Sequence, residues 1–183
     1  MEFEKLDILD EKVPSLREKC IPYDKKLSDV EKELIKKMKL HLKYSQIEEY
    51  EKKYNLRPGM GLAFPQLGIN KRLIVIVHEV EKGNFNEYVV INPKIISHSE
   101  EMIAAETGEG CLSVNREVEG HIARYARVTV SGLDENNSPV TIRAREELSI
   151  AFQHELDHLD GILFYDKIDK NKPFFDETEI RLI

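Results

Sequence analysis

The sequence contains no tryptophan and only two cysteines, Cys20 and Cys111, in 183 residues. One cysteine pair cannot staple a chain of this length, so the fold must rest on an apolar core rather than on a disulfide framework. No run of 18 apolar residues occurs, which leaves no candidate for a membrane-spanning helix. The stretch Met1–Val13 is charged and lacks the apolar centre of a secretory signal, so a reducing, cytoplasmic setting is expected. A basic excess is missing too: 27 Lys and Arg stand against 34 Asp and Glu, for a net charge of −7. Such a chain has no concentrated positive face with which to grip nucleic acid. Its densest basic stretch, Lys32, Lys36, Lys37, Lys39 and Lys43, is interleaved with acids and reads as a solvated helix face. Internal repeats, low-complexity tracts and linkers are also lacking, and a single domain over residues 1–183 is expected.

What is present is an ordinary globular composition, 41% apolar and 33% charged. Ser28-Asp29-Val30-Glu31 is a capping box, and apolar residues recur at Val30, Leu34, Ile35, Met38 and Leu42. This spacing predicts an amphipathic helix, ending near Tyr54-Asn55 before Pro58-Gly59. Leu73–Val77 and Tyr88–Ile91 read as strands joined through the turn residues Lys82-Gly83-Asn84, the second closing at Asn92-Pro93. Alternation over Ile122–Leu133, a turn at Asp134–Ser138 and alternation at Val140, Ile142 and Ala144 give a second hairpin. A helix follows over Glu146–Leu159, with acids in its first turn and Gly161 at its C-terminal cap. The expected class is α+β, mostly antiparallel sheet packed around a central helix.

That last helix carries His154-Glu155-Leu156-Asp157-His158, an H-E-x-x-H motif. Residues at i and i+4 share a helix face, so both imidazoles can reach one metal ion and the glutamate can face a water on it. The motif alone also fits a core helix whose histidines bond to backbone. A catalytic metal needs a third protein ligand. The region downstream, 161–183, holds no histidine and no acid at zincin spacing, whereas upstream Cys111 stands in Glu109-Gly110-Cys111-Leu112-Ser113. A lone cysteine is most often a small buried hydrophobe, and Cys20 is read that way. A third segment, Gly59–Ile69, is rich in glycine and includes Gln66, whose amide can donate to an oxyanion; by itself it is an irregular turn before a strand.

Taken together, Gly59–Gln66 (G-x-G-L-A-x-P-Q), Glu109–Ser113 (E-G-C-L-S) and Gln153–His158 (Q-H-E-x-D-H) resemble the peptide deformylases, in that order and spacing. The resemblance spans roughly 58–166. The segment Val77–Glu106, read as a long loop, and the run Glu109–Arg116 look like the branch common in Gram-positive bacteria. One position departs: Phe64 stands where the family has a second alanine, so the loop or its neighbours are expected to be reshaped while Gln66 keeps the activity.

The resemblance implies removal of the formyl group from N-formylmethionyl nascent peptides. Cys111, His154 and His158 would hold one divalent metal, Fe²⁺ natively, with Zn²⁺ or Ni²⁺ able to substitute. Glu155 would take the proton of the attacking water, and Gln66 and the Leu112 N–H would hold the oxyanion. Gly61, Ile150 and Ala151 would contact the methionine and peptide, and Met60 would tune substrate contact. Asp157 is a candidate partner of Arg124. A monomer with transient ribosome association is expected. A zinc endopeptidase and a non-catalytic relative remain alternatives; the first lacks its downstream ligand, and only Phe64 favours the second.

Overall fold

A computed structural model describes residues 3–183. Met1 and Glu2, which begin both the N-terminal stretch and the 1–183 span discussed above, lie outside them. Helix α1 (Asp29–Ser45) starts at the expected capping box. The Ser28 N–H donates to Glu31 Oε2 (2.7 Å) and the Glu31 N–H donates to Ser28 Oγ (3.3 Å). The expected single helix to Tyr54 is in fact two, because α2 (Glu48–Tyr54) restarts after an extended Ile47. The break has a local cause. Ser45 Oγ bonds back to the Leu42 carbonyl (2.8 Å), and the Gln46 side-chain amide donates to the carbonyls of Leu42, Gly59 and Val77. Side chains that compete for backbone carbonyls end helices. Here they also tie the helix end to the glycine-rich segment. Of the lysines of α1, Lys32, Lys36, Lys37 and Lys39 pair with nearby acids, as in Lys36 with Glu33 (3.2 Å), in keeping with a solvated face, and Lys43 lies over the Phe85 ring.

A five-stranded antiparallel sheet has the order β1 (Gly61–Ala63), β2 (Leu73–Glu81), β3 (Asn84–His98), β6 (Arg127–Leu133), β7 (Pro139–Arg145). In a second sheet β4 (Met102–Ala104) lies between β5 (Arg124–Tyr125) and β8 (Arg181–Leu182). Three expectations are corrected here. Strand β3 does not close at Asn92-Pro93; it continues to His98 through a register shift against β6, with Asn92 at φ 51°. A bulge absorbs the missing proline N–H and the positive φ. Val77–Glu106 is therefore not a long loop but the β2–β3 hairpin followed by β4. The alternating run from Ile122 is also interrupted: its strand structure starts at Arg124 and changes sheet at Ala126, a fully buried residue.

Helix α3 (Glu146–Leu159) has the expected bounds. Gly161, at φ 73°, takes the left-handed position beyond its end. Its N–H bonds to the His158 carbonyl (3.2 Å) and the Ile162 N–H to the Asp157 carbonyl (3.0 Å), a Schellman closure. Strand β2 explains the unbroken β-branched run in the sequence, since both of its faces are buried. Leu73, Val75 and Val77 pack with Ile35, Met38 and Leu42 of α1. Ile74 and Ile76 pack with Leu148, Phe152 and Leu159 of α3. The sheet is thus sandwiched by α1 and α3, and the opposite face of α3 is left for the site.

Candidate active site

The ligand atoms of Cys111, His154 and His158 all lie within 4.8 Å of one another, and all three residues are buried. The histidines share a face of α3, with ring centroids 5.1 Å apart, and Cys111 Sγ stands 3.2 Å from His158 Nε2. His154 Nδ1 is 2.9 Å from Glu109 Oε2. Burial would lift the Glu109 carboxyl, but hydrogen bonds from His154 and Arg124 outweigh it and hold the group down at about 2. As an ionised acceptor, Glu109 fixes the proton on Nδ1 and leaves Nε2 to face Cys111 and His158.

This donor set fits a divalent transition metal. A thiolate and two imidazoles are ligands for Zn²⁺ and Fe²⁺, and a carboxylate behind one imidazole is the usual means of orienting it. The electrostatics agree. Burial disfavours charge on His154, yet hydrogen bonds to Cys111 and Glu109 raise its pKa well above normal, so the centre favours positive charge at that point. Burial and the adjacent His154 lower His158, keeping its lone pair available.

Glu109 is anchored in turn. Arg124, 2% exposed, donates to both Glu109 oxygens (2.7 and 2.9 Å) and to Asp157 Oδ2 (2.6 Å), and Lys167 meets the other Asp157 oxygen at 2.9 Å. The expected Asp157–Arg124 contact is present. Two cations, Arg124 and Lys167, thus stand against the two carboxylates, and no uncompensated charge is left behind the histidines.

Around this centre lies a cleft of about 260 Å³, lined among others by Met60, Gly61, Gln66, Leu112, Ala151 and Glu155. Glu155 is 4% exposed and its Oε2 has no hydrogen-bond partner among the described residues. Burial first, then the nearby carboxylates Glu109 and Asp157, lift its pKa to about 7, against the pull of His154. Its side chain lies on Gly61, where any Cβ would overlap the carboxylate. The glycine is therefore a steric requirement for that rotamer. Gln66 is oriented by its neighbours: Oε1 accepts the Ala63 N–H (2.8 Å), so Nε2 faces Ser113 Oγ (3.1 Å) and Cys111 Sγ (3.6 Å).

Of the residues expected in the site, Cys111, His154, His158, Glu155, Gln66, Leu112, Gly61 and Ala151 gather within it; all but His158 line the cleft, and His158 meets Cys111. Ile150 does not line the cleft but is buried against Ile103 and Ala126. Phe64 points away, fully buried in the α1-side core with its ring 6.3 Å from Tyr23, so the departure at this position is taken up by packing rather than in the cleft. Sequence reasoning missed the parts played by Glu109, Ser113 and Arg57. A carboxylate two residues before the candidate ligand Cys111 was a usable signal for Glu109. Nothing in the sequence around Arg57 pointed to its contacts.

A carboxyl group of raised pKa beside a metal centre, facing donors suited to a carbonyl oxygen, serves the attack of water on an acyl carbon; fold and centre together define a metal-dependent hydrolase. The Polypeptide deformylase family model matches residues 5–174. A peptide deformylase of Halalkalibacterium halodurans is 50% identical over 165 residues, covering 89% of this chain and 90% of its own. One of Shouchella clausii is 48% identical over 163 residues, covering 89% of each. The crystal structure of peptide deformylase from Thermotoga maritima superposes with a TM-score of 0.70 at 31% identity, covering 91% of this chain and 99% of that one. The chain belongs to the polypeptide deformylase family, metal-dependent enzymes that remove the formyl group from the N-terminal formylmethionine of new polypeptides. Its Bacillus-group relatives agree with the Gram-positive branch.

Proposed function

We propose that the deformylation is carried by Glu155 as proton carrier, with Gln66 and the Leu112 N–H as oxyanion donors and Cys111, His154 and His158 as holders of the metal. The observation that supports this most strongly is the buried Glu155 oxygen beside the Cys-His-His cluster, unpartnered among the described residues. A divalent ion bound there would lower the pKa of water and polarise the formyl carbonyl. Glu155, poised near neutrality by burial, accepts the proton of the attacking water and returns it to the leaving amine nitrogen. Negative charge growing on the formyl oxygen meets the Gln66 amide, whose donor end is fixed by its bond to Ala63.

Gly61 offers backbone to the substrate peptide, and Ala151 and Met60 border the methionine side chain, with Ile150 in the apolar layer one turn before His154. We assign Fe²⁺ as the native ion, replaceable by Zn²⁺ or Ni²⁺. The chain is proposed to work as one catalytic unit over 1–183, a cytoplasmic monomer meeting nascent chains transiently at the ribosome. Among the described residues no helix is long and apolar enough to cross a membrane.

The test is amine release from formyl-Met-Ala-Ser by protein loaded anaerobically with Fe²⁺ or Ni²⁺, beside Glu155→Ala. Release by the wild type, with activity collapsing in the variant while metal content is retained, is expected. No release by folded, loaded wild type, or cleavage of unformylated peptides instead, overturns the assignment.

A further inference from the structure

Leu112 lines the cleft, and its N–H donates to no group among the described residues. What aims it is the other end of the same peptide unit. In a planar trans peptide the C=O and N–H point in opposite directions, so fixing the Cys111 carbonyl fixes the direction of the Leu112 N–H. Two donors hold that carbonyl: the Val114 N–H, closing a four-residue turn (3.0 Å), and Arg57 Nη2 (2.6 Å). Arg57 Nη2 also reaches the Val114 carbonyl (2.9 Å), and Nη1 reaches Asn115 Oδ1 (2.6 Å). The guanidinium thus spans the whole turn from the segment that leads into Gly59–Gln66.

We infer that Arg57 is a positioning residue for the reaction: by gripping the Cys111 carbonyl it holds and polarises the peptide whose Leu112 N–H faces the formyl oxygen. This rests on the assignment of that N–H as an oxyanion donor. A cationic donor on a carbonyl draws electron density from the amide, which makes the N–H at its far end a stronger donor. The benefit is greatest when the facing oxygen becomes anionic, so it belongs to the transition state more than to substrate binding. The Arg57 side chain is exposed, so a guanidinium ion from solution can reach the place it leaves.

The experiment compares wild type with Arg57→Ala and Arg57→Lys, all nickel-loaded, on formyl-Met-Ala-Ser. In Arg57→Ala, kcat is expected to fall roughly 10-fold or more with KM little changed, since losing an oxyanion donor outright costs about 10²–10³. Added guanidinium should restore part of the loss, and lysine, a single point donor, should restore less than arginine. Two readouts do not depend on turnover. Metal stoichiometry and the thiolate-to-cobalt absorption of the Co²⁺ form should stay as in wild type. In ¹⁵N-leucine-labelled zinc protein, the Leu112 amide proton should move upfield in Arg57→Ala and return with guanidinium. Unchanged kcat and an unmoved Leu112 resonance overturn the inference. So does a shifted cobalt band with lost metal, which would mean that Arg57 merely holds the Cys111 ligand. If wild type fails to deformylate, the catalytic assignment fails, while the amide resonance still decides whether Arg57 governs that N–H.

Discussion

Glu109 shows how one side chain sets the character of the centre. It accepts a hydrogen bond from His154 Nδ1 on one side and the Arg124 fork on the other, and neither contact survives conversion to an amide unchanged. Glu109→Gln should weaken metal binding by about 10- to 100-fold, measured by competition with a chromogenic chelator. Phe64 makes the opposite case. Substituting the alanine usual in the family, Phe64→Ala, should cost about 3–5 kcal/mol in urea unfolding through the cavity it leaves, while kcat stays near the wild-type value. A large loss of kcat in the folded variant would show that the core under Gln66 transmits to the site. The motif residues were legible because metal ligation and proton transfer demand particular side chains at particular spacings. Ile150 was less so. The sequence places it one helical turn before His154, but which side of that helix the cleft wraps is decided by β4 and Ala126, from distant parts of the chain.

At the level of elements, helices announced by their caps were found where expected, Ser28 opening α1 and Gly161 closing α3. The break between α1 and α2 was not legible, because it depends on Gln46 meeting carbonyls at Gly59 and Val77, which no local pattern reveals. Helix α1 also carries a pH-sensitive joint. His41, 2% exposed, accepts the Leu6 N–H at Nδ1 (3.2 Å), and burial, reinforced by Lys5, pushes its pKa from 6.5 to about 4. The unfolded chain therefore binds a proton that the folded chain refuses. This contribution to stability is complete above pH 6.5 and declines as pH falls toward 4, by about 1.4 kcal/mol per unit within that window. In His41→Asn, which keeps an acceptor for Leu6 but cannot titrate, unfolding free energy should change less between pH 7 and 5.5 than in wild type. Parallel curves for the two proteins would assign the decline to other groups.

Across the whole molecule, the centre is supplied by two separated stretches of chain, the turn at Cys111 and helix α3. Ligands that bind the folded state alone raise its stability by mass action. Removing the ion with a chelator should therefore lower the melting temperature, and restoring Zn²⁺ or Ni²⁺ should recover it in proportion to the logarithm of free metal. A melting temperature indifferent to chelation would show that the centre is built fully by the protein and adds nothing to its fold. The architecture that made this site hard to assemble from sequence was the sheet between α1 and α3, whose order needs the register shift at Asn92 and the change of sheet at Ala126.

The separation of Cys111 from His154 has one more consequence. An ion held by both turns residues 112–153 into a closed ring, and a ring has far fewer open conformations than a free chain of the same length. The centre is then a reversible cross-link as well as a catalyst. It does for this chain what a disulfide would do elsewhere, although Cys20 and Cys111 are both free thiols. Oxidising the Cys111 thiol would cut the ring at the same moment that it ends turnover, so damaged enzyme would also be enzyme more readily unfolded and degraded.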